Sequence, residues 1–162
     1  MYKVGEIIVY QKDVCKIKEI KENHIQGKSY YVLIPIDDDS LKIDVPTENN
    51  MIRNIISKEE AEALIQKIPD IDILNINEKN MENEYKKLLE GNCLEDLVTI
   101  IKTTYLRNQE RLQNKKKISE KDESYFEKAE RRLYNELSVS LGMSYHETKE
   151  YITNSVQKQM SR

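Results

Sequence analysis

Up to about residue 56, apolar side chains come in short runs, several of them alternating with polar ones. EIIVY (6–10), VCKIKEI (14–20), YYVLIPI (30–36) and LKIDV (41–45) are rich in Val, Ile and Tyr. Alternation of this kind places successive side chains on opposite faces of a strand. Residues 23–28, with Gly27, suit a hairpin loop between the second and third runs, and 37–40 suit a tight turn into the fourth. Pro46 lacks the N–H that would continue a ladder, and a fifth strand over 51–56 completes a small antiparallel unit. Its size and strand spacing predict a Tudor-like or SH3-like barrel, or a strongly twisted sheet.

From Ser57 the period changes. Ser57 and Glu60 make a capping-box pattern ahead of Ala61, Leu64, Ile65 and Ile68, which predicts a short helix ending before Pro69. DIDILNINEKN (70–80) reads as a connector. Beyond it, Met81, Tyr85 and Leu88 fall at i, i+4 and i+7. Leu94, Leu97, Val98, Ile101 and Tyr105 form another apolar face, and Phe126, Ala129, Leu133 and Leu137 a third. Ser119 with Asp122 marks one helix start. Ser144 with Glu147 marks the next, ahead of Tyr151, Ile152 and Val156. Four such helices can share one core. The predicted class is α+β: a β unit over 1–56, a short helix and connector over 57–76, and an all-α bundle over 77–162.

Charge changes this picture only locally. The net charge is −3. The deficit belongs to residues 1–70, while 71–162 hold sixteen charges of each sign. Within that neutral half, Lys102 to Arg132 carries ten basic and six acidic residues, with Lys115, Lys116 and Lys117 adjacent. This is a basic patch on a neutral body, which argues against tight DNA binding by the chain alone. No apolar run approaches the roughly 18 residues of a spanning helix, and MYKVGEIIVY lacks the features of a signal peptide, so a cytoplasmic location is expected. Cys15 and Cys93 stand apart, outside any CxxC pattern, and are expected as reduced thiols.

Candidate chemistry is sparse. His24 falls in the hairpin loop and His146 in the first turn of the last helix, neither with a nucleophile or carboxylate at motif spacing, so surface roles are expected. The isolated Cys and His residues do not make zinc spacing, and four scattered glycines make no phosphate loop. Asp37, Asp38 and Asp39 lack the spaced ligands of a calcium loop and read as a solvated turn. No cofactor and no enzymatic activity are expected.

A family resemblance gives the partners. Val4, Gly5, Ile8, Val9 and Tyr10, then Gly27, Tyr30, Tyr31, Val32 and Leu33, then Val45, Pro46 and Arg53 resemble the N-terminal module of the CarD/CdnL family of bacterial transcription regulators. NMENEYK (80–86), NQER (108–111) and ISEKDESYFEKAERRLYNEL (118–137) resemble its helical part. The resemblance implies a non-enzymatic regulator whose Tudor-like domain binds the RNA polymerase β subunit and whose helices meet promoter DNA at the upstream edge of the melted region, stabilising the open complex. The family's minor-groove tryptophan aligns with Met81, in a chain without tryptophan. An apolar methionine can also wedge between base steps. Lys86 and Arg107 match basic positions near DNA. Lys115, Lys116 and Lys117 lie in an apparent insertion and are phosphate-contact candidates on local charge alone.

On the polymerase side the resemblance points to Asp44 and to the hairpin near Asn23, while Ile25, Leu41 and Ile43 are either available for an edge-strand contact or part of the core. Asp44 stands where the family often carries a basic residue. Two functions of different kinds follow: a polymerase-tethered regulator touching promoter DNA weakly, expected as a monomer, or a protein-interaction module binding polymerase or another protein without DNA contact. In the second, Met81 belongs to the bundle core.

Overall fold

The computed structural model describes the backbone of residues 1–160 and the side chains of residues 1–156. Five strands are followed by five α-helices, an α+β arrangement: β1 Ile7–Tyr10, β2 Asp13–Ile25, β3 Lys28–Pro35, β4 Ile43–Pro46, β5 Ile52–Asn54, α1 Lys58–Lys67, α2 Glu78–Glu90, α3 Leu94–Gln113, α4 Glu120–Leu141 and α5 Tyr145–Met160. A single 3-10 turn, Ile68–Asp70, follows α1.

The strands form one antiparallel sheet in the order β4-β3-β2-β1-β5. β4 and β5 are its edges and do not pair with each other, so the expected barrel is an open sheet. Two-residue turns join the first three strands, Gln11–Lys12 and Gln26–Gly27, and all four residues have positive φ. This is the hairpin geometry that matches the right-handed twist of the strands. Because Gln26 and Gly27 suffice for the second turn, β2 runs on to Ile25, and Asn23 and His24 lie within the strand where a loop was expected. The surplus residues enter as register shifts between Ile17 and Glu19 and between Lys21 and Ile25. Such bulges sharpen local twist. The sheet curls around Ile8, Cys15, Ile17, Tyr31, Leu33 and Val45, all nearly solvent-free. Burial pushes the Cys15 thiol up to about 11, with Asp13 adding to the effect.

The helices share a second core. It includes Ala61, Leu64 and Ile65 of α1, Met81 and Tyr85 of α2, Val98 and Ile100 of α3, Ala129, Leu133 and Leu137 of α4, and Ile152 of α5. The segment expected as a connector belongs to this core: Ile71 and Leu74 pack against it. It is strapped to α3 by polar contacts. Leu74 N donates to Thr103 Oγ1 at 2.9 Å, and Lys102 Nζ donates to the carbonyls of Ile68 and Ile71.

The helix starts follow local chemistry. Ser57 Oγ accepts from Glu60 N while Glu60 Oε1 accepts from Ser57 N, and Ser144 and Glu147 repeat the exchange. Ser119 Oγ accepts from Asp122 N. Gly142 closes α4 in the left-handed conformation at φ 68°.

α4 joins the two halves. Ala129, Leu133 and Leu137 face the helical core, while Arg131, Asn135 and Glu136 reach the sheet side. Glu136, 1 % exposed, accepts from both terminal nitrogens of Arg53 at 2.7 Å and from Ile56 N at 3.0 Å. Arg131 donates to Asp37 at 2.7 Å and to Asp13 at 3.2 Å, and Asn135 Nδ2 donates to Asp37 at 2.9 Å. Asp37 was expected in a solvated turn; instead it anchors the sheet to α4. One guanidinium and one neutral amide thus hold the Asp37 carboxylate, and partial burial strengthens each contact.

Candidate interaction surfaces

The residues expected to face a protein partner gather around the β4 edge. Asp44 lies within β4, with its carboxylate 3.7 Å from Lys21 Nζ and 3.6 Å from His24 Nε2. The His24 ring meets Tyr30 edge-on. Leu41 lies just before β4 and Ile25 at the tip of the β2–β3 hairpin, and both are large apolar side chains left exposed. Asn23 is exposed, with positive φ, at the bulge of β2. Ile43 differs from these: it packs partly buried against the sheet core and offers backbone more than side chain. β4 therefore presents its outer backbone groups unpaired among the described residues, flanked by two apolar side chains, with one carboxylate between them already screened by a lysine and a histidine.

The residues expected to face DNA do not form one surface. Met81 is 4 % exposed and packed in the helical core beside Tyr85. The wedge position implied by the resemblance is thus occupied by a core side chain. Its i, i+4, i+7 spacing with Tyr85 and Leu88 puts one stripe of α2 against α3 and α4, and burying that stripe is the most favourable use of its apolar area.

Arg107 is committed as well. Its Nε donates to Asp122 Oδ2 at 2.8 Å and its Nη2 to Glu78 at 3.2 Å, while Arg111 also donates to Glu78. Asp122, 3 % exposed, accepts in addition from the Tyr85 hydroxyl at 3.1 Å. Burial and the adjacent Asp122 carboxylate push the Tyr85 phenol up. Burial opposes the Arg107 charge, but the bond and charge of Asp122 outweigh it and hold the guanidinium above its ordinary value. The triad ties α2, α3 and α4 together.

Lys86 remains exposed on α2, within 3.5 Å of Glu82, which also meets Lys121. Lys115, Lys116 and Lys117 are exposed on the loop between α3 and α4. They are the densest positive charge on this end of the bundle that makes no ion pair among the described residues. His146 sits on the α5 surface beside Glu150.

Between the sheet and the helices lies a cleft of about 650 Å³, reached by Lys12, Arg53 and Arg132. These residues come from a hairpin turn, an edge strand and the middle of α4, positions so far apart that no local pattern announces them. No group of three or more His, Cys, Asp or Glu side chains is placed to hold a metal ion among the described residues. No helix there is long and apolar enough to cross a membrane. Comparison with protein-family models gave no match, and comparison with curated proteins gave none.

Proposed function

We propose that this chain is a non-enzymatic regulator of transcription that docks through the β4 edge of its sheet on the β subunit of bacterial RNA polymerase and brings its lysine-bearing helical end beside promoter DNA. The observation that carries this reading is the unpaired β4 edge flanked by exposed Ile25 and Leu41. A free edge accepts a partner strand through backbone hydrogen bonds, and the flanking apolar side chains supply the pockets' contents. The resemblance described from the sequence supplies the identity of the partner, and a cytoplasmic location goes with it.

On the DNA side, Lys86 and Lys115 to Lys117 supply phosphate contacts, which position without reading sequence. The chain's net charge of −3 makes these contacts weak alone, and tethering to polymerase raises their effective concentration. Open-complex stabilisation in this form comes from backbone charge, with Met81 taking no part.

The buried Met81 and the committed Arg107 favour a second reading, a polymerase-binding or other protein-binding module without DNA contact. Pull-down on immobilised β subunit, paired with a promoter-opening assay, separates the readings. Wild type is retained and Leu41→Glu, an exposed position, is lost by roughly tenfold or more. Replacing Lys115, Lys116 and Lys117 together with Gln leaves retention intact and weakens promoter opening more at low salt than at high salt. Unchanged opening selects the protein-only reading. No retention of wild type overturns both polymerase readings.

A further inference from the structure

We infer that the cleft between the sheet and the helices is a binding site for a small phosphorylated ligand of mononucleotide size, with the phosphate held by Lys12 and Arg132. This goes beyond the polymerase reading and does not depend on it. The cleft is about 650 Å³, within the roughly 300–1,000 Å³ range of small-molecule sites.

Its charges are unevenly used. Arg53 gives both terminal nitrogens to Glu136, and Arg131 serves Asp13 and Asp37. That leaves Lys12 and Arg132 with no carboxylate within ion-pair distance among the described residues. Lys12 Nζ donates to the neutral side chain of Asn92. Arg132 Nη1 reaches only the Leu89 carbonyl, at 3.4 Å, and its Nε is buried with no hydrogen-bond partner. A buried, unpaired guanidinium N–H is costly unless something accepts from it. A phosphate oxygen is the strongest acceptor that guanidinium geometry takes.

The electrostatics agree with the geometry. Burial lowers the pKa of Lys12, and Arg132 and Arg53 lower it further. Burial likewise lowers that of Arg132; Asp13 opposes this and Arg131 adds to it. Lys12 thus lies in the positive field of Arg132 and Arg53, which an anion bound in the cleft relieves. The acid of the lining is Glu90, exposed at the end of α2.

The rest of the lining suits a flat, polar-edged ring better than a bare ion. Met51, Ile52 and Leu89 offer apolar surface, and Gln11, Asn50 and Asn92 carry amides that donate and accept. Lys12 is held at φ 80°, a conformation uncommon for a residue with a side chain, at the cleft's edge.

Calorimetry and thermal melting of the full chain with millimolar inorganic phosphate, AMP, GMP and the phosphate-free nucleosides test the site. Expected is a raised melting temperature with AMP or GMP and none with the nucleosides. Lys12→Gln, in the half-buried turn between β1 and β2, weakens that binding by roughly tenfold or more, as does Arg132→Gln. Should Arg132→Gln fail to fold, Lys12→Gln carries the result. The proposal is overturned if neither AMP nor GMP shifts the melt, if inorganic phosphate or the nucleosides shift it as far as the nucleotides do, or if Lys12→Gln binds as wild type does. It is equally overturned if only duplex oligonucleotide binds and loses affinity in Lys12→Gln, which would give the cleft to DNA backbone.

Discussion

Asp122 shows how one side chain decides the meaning of its neighbours. Its carboxylate, buried in the helical core, is met by Arg107 from α3 and Tyr85 from α2, so a basic residue that resembles a DNA contact in the linear sequence is half of an internal pair. Removing it leaves a buried carboxylate short of its partner, a change that costs about 3 kcal/mol or more. Arg107→Ala is therefore expected to lower the denaturation midpoint strongly. Met81→Ala does so too, by about 2–5 kcal/mol, because it opens a cavity in the same core. Urea unfolding measures both. A Met81→Ala protein of wild-type stability would mean that the side chain is not packed as found. The core role of Met81 was readable from its spacing with Tyr85 and Leu88. That of Arg107 was not, since its partner lies fifteen residues away on another helix and no periodicity links the two.

At the scale of elements, local chemistry foretold more than side-chain roles. Both Ser–Glu capping boxes form as their spacing requires, and the helices begin where those serines stand. Helix ends are set just as locally. A Cβ added to Gly142 would meet nothing within 4 Å, so the penalty of Gly142→Ala is purely conformational, the left-handed backbone alone. That penalty is about 1 kcal/mol, a shift visible in a thermal melt without any change in helix content. Sheet closure is different in kind. It depends on whether β4 and β5 come within hydrogen-bonding reach, and two strands at opposite ends of a five-strand order leave no mark of that in their own residues. The polar connector misled for a related reason: its attachments are to Lys102 and Thr103, far along the chain.

For the molecule as a whole, the seam along α4 sets the response to acid. Burial opposes ionisation of Asp37, but hydrogen bonds from Arg131 and Asn135 prevail and hold its carboxyl below the ordinary value of 3.8. A carboxylate held low in the folded state contributes stability that is fully present above its unfolded value and is lost as pH falls through the folded one. Asp37→Asn is accordingly expected to cost about 1 kcal/mol near neutral pH, modest because the pair is partly exposed. The difference from wild type should shrink as pH falls below 3.8 and vanish once the folded-state carboxyl is itself protonated; melts taken down through the acid range would show it, and a gap that persists at the acid end would place the contribution elsewhere.

The same seam has a consequence for how the chain is made. Arg53 and Asp37 leave the ribosome well before the residues they bind, Glu136 and Arg131, which follow 83 and 94 positions later. At about 5–20 residues per second, the young sheet waits several seconds with its anchoring groups open to water and its outer strands uncovered. Only when the fourth helix has emerged does it gain a fixed neighbour, so the nascent chain passes through an interval in which it is most open to chaperones and to stray strand pairing.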